Sequence, residues 1–285
     1  MKKCNFINNT ASTNGGAVLF GSTNGTISDS NFINNTAIWG GAVCWANHNG
    51  ILSSSTFINN NAEYGGAVFW YGAINGILTG STFINNSANK YAGAVWWTGA
   101  NGTLTGSNFN HNYATQGGGV WWEGSNGTII GSTFTNNEAT NDTAGGVWWG
   151  GSNGTIIGST FKNNTADNAG GGIWWGGSNG TIIGSTFINN NCVRGGGGAI
   201  RCYNPIFIIN CTFNKSINTD SRSNGIQSRY NLTINGGKGI VNINIQEGTL
   251  LGSSIIVLNN ETYYYPPNTN INLPNKKENR THQRI

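Results

Sequence analysis

Charge is what this sequence has least of. Only 8% of its 285 residues are Asp, Glu, Lys or Arg, where an ordinary soluble domain has roughly 25%. Four Asp in the whole chain cannot supply the GGxGxD nonapeptide of calcium-binding repeats, and that nonapeptide never occurs. Leucine is scarce, which excludes a leucine-rich repeat. No apolar run is long enough to span a bilayer. Cysteine is sparse: Cys4, Cys44, Cys192, Cys202 and Cys211 contain no CxxC pair and no zinc spacing. An odd count argues against a disulfide framework, leaving open one bridge among the last three. No metal or cofactor set is present, and none is expected. Low charge with 45 Gly would suit a disordered chain, but 11% aromatics and many β-branched residues exclude that reading.

The few charges are unevenly spread. Residues 1–193 hold four Lys/Arg against six Asp/Glu, a net of −2, and residues 194–285 hold ten against four, a net of +6. Apart from the terminal KKENRTHQRI this excess is thin. A short basic tail reads as a solvated end, so 276–285 is expected to be a disordered tail and no nucleic-acid partner is expected.

What is present is a period. Phe6, Phe32, Phe57, Phe83, Phe109, Phe134, Phe161, Phe187 and Phe213 follow one another at intervals of 25–27 residues. Such a repeat marks a solenoid. Gly-Gly and Asn-Gly interrupt every unit, which removes helical repeats. A period of 26 also does not fit left-handed hexapeptide coils. Three short strands per turn are predicted: Gly-Gly-Ala-Val-Trp-Trp, then Thr-Ile-Ile, then Ser-Thr-Phe, with Asn-Asn closing the coil. Strands stacked at about 4.8 Å give an all-β, right-handed parallel β-helix of eight to nine turns, since parallel crossovers are right-handed by default.

Columns across the turns show what faces in. The residue three after Phe is Asn at Asn9, Asn35, Asn60, Asn86, Asn112, Asn137, Asn164 and Asn190, and stacked amides can satisfy one another at a corner. The residue five before Phe is Ile or Leu from Ile27 to Ile208. Both columns are structural.

GGAV (at Gly15, Gly40 and Gly65) together with FINN (at Phe6, Phe32, Phe57, Phe83 and Phe187) resembles the GGAI and FxxN repeats of chlamydial polymorphic outer membrane proteins. The unit with its aromatic pair and NGT turn is also similar to adhesin-like surface proteins of methanogenic archaea. The resemblance covers roughly residues 1–215 and implies a right-handed β-helix, an extracellular or cell-surface location and a role in attachment. It brings no catalytic residues. No apolar run follows Met1-Lys2-Lys3, and KKCNFINNTA reads as the end of a repeat. The chain is therefore expected to be a fragment or a truncated product. Residues 1–216 are assigned to the repeat domain. Residues 217–275 are assigned to a β-rich cap over the open coil end or to a partial immunoglobulin-like module.

Adjacent strand residues face opposite ways, so one Trp of each pair points in. Phe20, Trp45, Trp70, Trp97, Trp122, Trp149 and Trp175 share a face with the Val/Ile column and are assigned to the core. The other column, with Phe69, Trp96, Trp121, Trp148 and Trp174, is expected to be an exposed aromatic strip. Such a strip is a candidate contact for polysaccharide or for a glycoprotein on another cell. The alternative is that it packs under a loop or a partner. The recurring Asn-x-Ser/Thr sequons read mostly as turns leading into strands.

An enzyme is not expected. Lyases and hydrolases of this fold need clustered carboxylates, or a cation with a basic residue. Glu63, Glu123, Glu138, Asp142 and Asp167 never fall in one column on neighbouring turns. His48 and His111 are lone, and Gly150 to Gly154 matches G-x-S-x-G only as a recurring turn. A non-enzymatic surface stalk is the preferred reading, with a polysaccharide-degrading enzyme or a purely structural spacer as alternatives.

Overall fold

A computed structural model describes residues 1–218, 225–239 and 243–247, together with the strands Thr249–Ser253, Ile255–Leu258, Glu261–Tyr264 and Thr269–Asn272. The chain is all-β among the described residues, a parallel β-solenoid of about nine turns. The Phe column stands in register from Phe6 to Phe213, each pairing with the next.

From the third turn onward each regular turn carries four strands, not the three read from the sequence. In the first two turns the fourth is reduced to isolated bridges at Thr10, Asn14, Thr36 and Trp39. Sheet I holds the Val-Trp-Trp strands from Val18–Phe20 onward, sheet II the Thr-Ile-Ile strands from Thr26–Ser28, and sheet III the Phe strands from Asn5–Ile7. Sheet IV, seven short strands from Asn61–Tyr64 to Ile217–Asn218, follows the Asn-Asn pair. Asn-Asn is thus a corner and not a closure. The fourth strand is hard to see in sequence because its inward residue is small: Ala37, Ala62, Ala88, Ala114, Ala139 and Ala166 are buried there. Short strands of mixed polar residues around an Ala carry little β-propensity.

Four corners join the four sheets, and each turns on one residue with positive φ. Asn24 to Asn179 lead from sheet I to II, and Asp29, Ser54 and a run of Gly lead from II to III. Asn8 to Asn189 lead from III to IV, and Gly15 to Gly197 from IV to I. Gly and, less readily, Asn and Asp favour this region, and they fill most corners, with Ser54, Ala92, Ala144 and Lys215 among the departures. His111 takes the Asn position of its turn with φ 55°.

The Asn-Gly turn needs its Gly for a second reason. A Cβ at Gly154 would lie 2.3 Å from the indole nitrogen of Trp149, and the same clash recurs at Gly50, Gly76, Gly102, Gly127 and Gly180 with Trp45, Trp70, Trp97, Trp122 and Trp175. The core Trp column is therefore packed edge-on against the turn that follows it. All six of these Trp are fully buried, and their rings stack from Phe20 to Trp175 at centroid spacings of 4.4–5.0 Å. Opposite them, the Phe rings stack at 4.6–5.1 Å. Both spacings follow the strand spacing of a sheet.

The Asn column forms the expected ladder, and every polar group in it is used. Asn137 Nδ2 donates to Asn164 Oδ1 at 2.9 Å and to the Phe109 carbonyl at 3.0 Å, while Asn137 Oδ1 accepts from Asn112 Nδ2 and from the Asn112 backbone N–H. The pattern repeats from Asn9 to Asn190, where Ser216 takes over as acceptor. A second ladder was not anticipated. Ser30, Ser55, Ser81, Ser107, Ser132, Ser159 and Ser185, two before each Phe, are buried. Each hydroxyl accepts the backbone N–H of the turn before it, and each donates to the carbonyl two residues back in its own turn.

All five cysteines are free, which closes the question of a bridge among the last three. Cys211 continues the Ser column, Cys202 the core Trp column and Cys192 the Ala column, so they lie in three different ladders.

Parallel pairing runs on beyond residue 216. Ile226–Ser228 adds to sheet I, Leu232–Asn235 to sheet II and Lys238–Gly239 to sheet III. Thr249–Ser253 extends sheet II and pairs antiparallel with Thr269–Asn272, while Ile255–Leu258 and Glu261–Tyr264 form a hairpin. The expected tail at 276–285 lies outside the described residues.

Three substitutions test this packing. Gly154→Ala should lower unfolding free energy by about 1–3 kcal/mol through overpacking against Trp149. Gly158→Asn, at a left-handed corner with open space around it, should change it by less than about 0.5 kcal/mol. Asn137→Ala strands the Asn112 amide and the Phe109 carbonyl, and should cost about 3 kcal/mol. Urea denaturation followed by Trp fluorescence would measure all three.

Candidate interaction surface

The outward column of sheet I begins with Leu19 and Cys44, continues through Phe69, Trp96, Trp121, Trp148 and Trp174, and passes to Arg201, Gln227 and Asn244 on the following turns. It does face away from the coil interior, but most of it is not exposed. Cys44, Phe69, Trp96 and Trp121 retain only 2%, 5%, 8% and 6% of their accessible surface. Trp148 and Trp174 are half-buried. The expectation of a continuous exposed strip is corrected here.

The cover comes from sheet IV. The residue before the left-handed corner (Gly40, Gly65, Ala92) is Trp39, Tyr64 and then Tyr91 on successive turns, and these form a roof over the column. Trp39 stacks on Tyr64 at 4.2 Å, Tyr64 and Tyr91 lie 5.2 and 5.5 Å from Trp96, and Tyr91 stacks on Trp121 at 4.6 Å. Together these residues make a second apolar core outside the coil. Lys90 ties down its edge, donating to the Tyr64 hydroxyl at 2.9 Å and pairing with Glu63 at 3.1 Å. The roofing residues could have been found by aligning turns on Gly-Gly instead of on Phe.

The roof then loses bulk turn by turn, from Tyr91 through Gln116, Thr143 and Ala169 to Gly196. The second flank shrinks as well. The residue after the core Trp is Glu123, whose carboxylate accepts from the Trp121 indole at 2.7 Å, and then Gly150 and Gly176. The Trp148 and Trp174 rings lean over these glycines, since a Cβ there would stand 2.4 and 2.5 Å away. The column is therefore sealed in its N-terminal half and uncovered at Trp148 and Trp174.

Ring orientation matters as much as exposure. Trp121 and Trp148 stack at 3.7 Å with parallel planes, and Trp148 and Trp174 at 4.9 Å. Their faces are turned toward one another along the rod, so the uncovered rings present mainly edges. The last ring, Trp174, meets no further indole. Tyr203 lies 5.5 Å from it at a 42° tilt, and Arg201 is its strand partner on the next turn.

Other sequence candidates resolve into architecture. Asn24, Asn49, Asn75, Asn101, Asn126, Asn153 and Asn179 form an exposed amide ladder at 3.0–3.2 Å, so the NGT sequons are corner residues whose Nδ2 groups are largely engaged. In the G-x-S-x-G stretch, Ser152 accepts from Ser178 at 3.0 Å, and its glycines make room for Trp148, Trp149 and the neighbouring turn. No cluster of three metal-ligating side chains occurs among the described residues. Among the described residues no helix is long and apolar enough to cross a membrane.

The fold and its columns define a parallel β-solenoid repeat protein. Residues 3–21 and 158–174 match the Chlamydia polymorphic membrane protein repeat, so those two stretches are similar to repeats of that type. Both the repeat and the fold fit a surface or outer-membrane repeat protein. No curated protein and no solved structure matches the chain.

Burial raises the thiols of Cys44, Cys192, Cys202 and Cys211 to about 11. A raised thiol stabilises the fold below its unfolded value near 9 and loses that contribution as pH climbs through the folded value. Thermal midpoints should therefore fall between about pH 9 and pH 11. At pH 8, Ellman's reagent should find one fast thiol, the half-exposed Cys4, and release all five only in denaturant. Several fast thiols in the native state would contradict the burial.

Proposed function

We propose that the chain is the non-enzymatic rod of a surface repeat protein, a stiff spacer that also attaches to a carbohydrate or partner cell through the open end of its outer aromatic column. The observation that carries this reading is the graded roof. A pure spacer would gain by covering Trp148 and Trp174 as it covers Trp96 and Trp121, yet the flanking side chains shrink to Thr, Ala and Gly. Partly exposed Trp in a column with small neighbours suits contact with an apolar surface. Because most ring faces are spent on each other, contact along Trp148 is through ring edges, and the contact area lies toward Trp174. The ladders keep that ledge straight, which favours contacts shared along an extended polymer.

Pull-down on insoluble plant, microbial and mucin polysaccharides tests the reading, with released sugar assayed in the same tubes. The intact chain should bind at least one polymer, and Trp148→Ala/Trp174→Ala should weaken that binding about tenfold or more, in the range of hot-spot truncations. Trp96→Ala/Trp121→Ala should instead lower stability. Sugar release would sink the non-enzymatic part. Undiminished binding by the first double variant would move the contact elsewhere.

A further inference from the structure

The outer aromatic column ends in a charge. Arg201 follows Trp174 in register and keeps only 8% of its surface. One guanidinium nitrogen, Nη2, donates to Gln246 Oε1 at 3.2 Å, whereas Nη1 is buried with no hydrogen-bond partner. Among the described residues no carboxylate pairs with it: Asp167 is taken by Arg194, and Glu247 lies 3.9 Å from Arg229 Nε. Arginine cannot shed its proton to escape burial. A buried guanidinium with an idle N–H group is costly unless something anionic completes it.

The surroundings suit a sugar. Tyr203, more than a third exposed, stands beside the end ring of Trp174, with the Arg201 guanidinium 5.1 Å and that of Arg229 5.7 Å from its ring centre. Where earlier turns place Trp39, Tyr64 or Tyr91 as roof, this turn has Gly196, and the Gln227 side chain lies against it, since a Cβ on Gly196 would stand 1.8 Å from Gln227 Oε1. Gln227 and Gln246 thus line the site with amides in place of aromatic rings. Two guanidinium groups, two amides and a terminal aromatic pair form a set that can hold a sugar ring by its apolar face and its acidic substituent by charge-assisted hydrogen bonds.

We infer that Trp174, Arg201, Tyr203, Gln227, Arg229 and Gln246 form a binding site for a sugar unit bearing a carboxylate or sulfate, so that the polymer held by the aromatic ledge is an acidic polysaccharide. This rests on the attachment reading above and narrows its ligand class.

Isothermal titration calorimetry on the full chain decides it. The probes are an oligogalacturonate, its methyl ester and a sulfated oligosaccharide of equal length, with the neutral polymer from the pull-down run in parallel. At least one charged oligomer should bind, and the pair of charged probes tells uronate from sulfate. The methyl ester should bind about 10- to 100-fold more weakly than the uronate if that is the ligand, the range for a lost charged hydrogen bond. Arg201→Gln should weaken the charged oligomer by a similar factor and leave neutral binding through Trp148 unchanged. The charged oligomer should also raise the thermal midpoint of the intact chain, a readout that needs no variant. Equal binding of the charged oligomer by Arg201→Gln and the intact chain would overturn the site. So would a chain that binds neutral polymer through Trp148 but ignores both charged probes, which would leave the attachment reading in place. Loss of all polysaccharide binding would overturn both.

Discussion

Every turn of this rod must return to the same register, and four left-handed corners per turn make that return. Each corner uses one residue that tolerates positive φ, and between corners the chain has room for only three or four extended residues. A three-residue strand exposes one residue to one face and two to the other. The middle residue enters the coil in sheets II and III, the Ile or Leu and the Phe. In sheet I both end positions enter, the Val or Ile and the second Trp, and sheet IV contributes a small Ala. Extra residues are taken up in sheet IV, as in the register shift between Ala88 and Tyr91. Composition follows from this geometry, since corners demand Gly and Asn and leave little place for charge.

Identical residues on successive turns then convert register into energy. Stacked Phe and Trp bury large surfaces, each ring covering its neighbour. The Asn ladder does for polar groups what the rings do for apolar ones, satisfying backbone and amide donors at a corner where water cannot reach. The Ser ladder does the same at a second corner, and Cys4 and Cys211 take its place at the two ends with a weaker donor. Such ladders make each turn depend on the ones above and below it, as in other repeat proteins.

The same stacking rule shapes the outer surface. Once aromatics occupy an outward column, their faces meet along the axis and only edges and ends remain for a ligand. Sheet IV then decides which part of the column is covered. Aromatic cover on the early turns makes a second core, and Gly, Ala and Thr on later turns leave a ledge running toward Arg201 and Tyr203. The repeat matched at residues 3–21 and 158–174 lies within the rod, whereas the ledge depends on residues particular to this sequence.

The period marked by Phe, the parallel stacking, the inward Ile and second Trp, and the Asn ladder were legible in the sequence, because each is a column repeated at 25–27 residues. G-x-S-x-G as a turn was legible for the same reason. Sheet IV was not, because an Ala column between polar residues resembles a loop. Nor was the burial of Phe69, Trp96 and Trp121. Alternation along a strand tells which side a residue faces, but not what another sheet lays over it. That cover depends on Trp39, Tyr64 and Tyr91 reaching across a corner, and on Gly196 failing to. Such contacts join columns that sequence comparison treats separately, and only the folded coil brings them within one ring's width of each other.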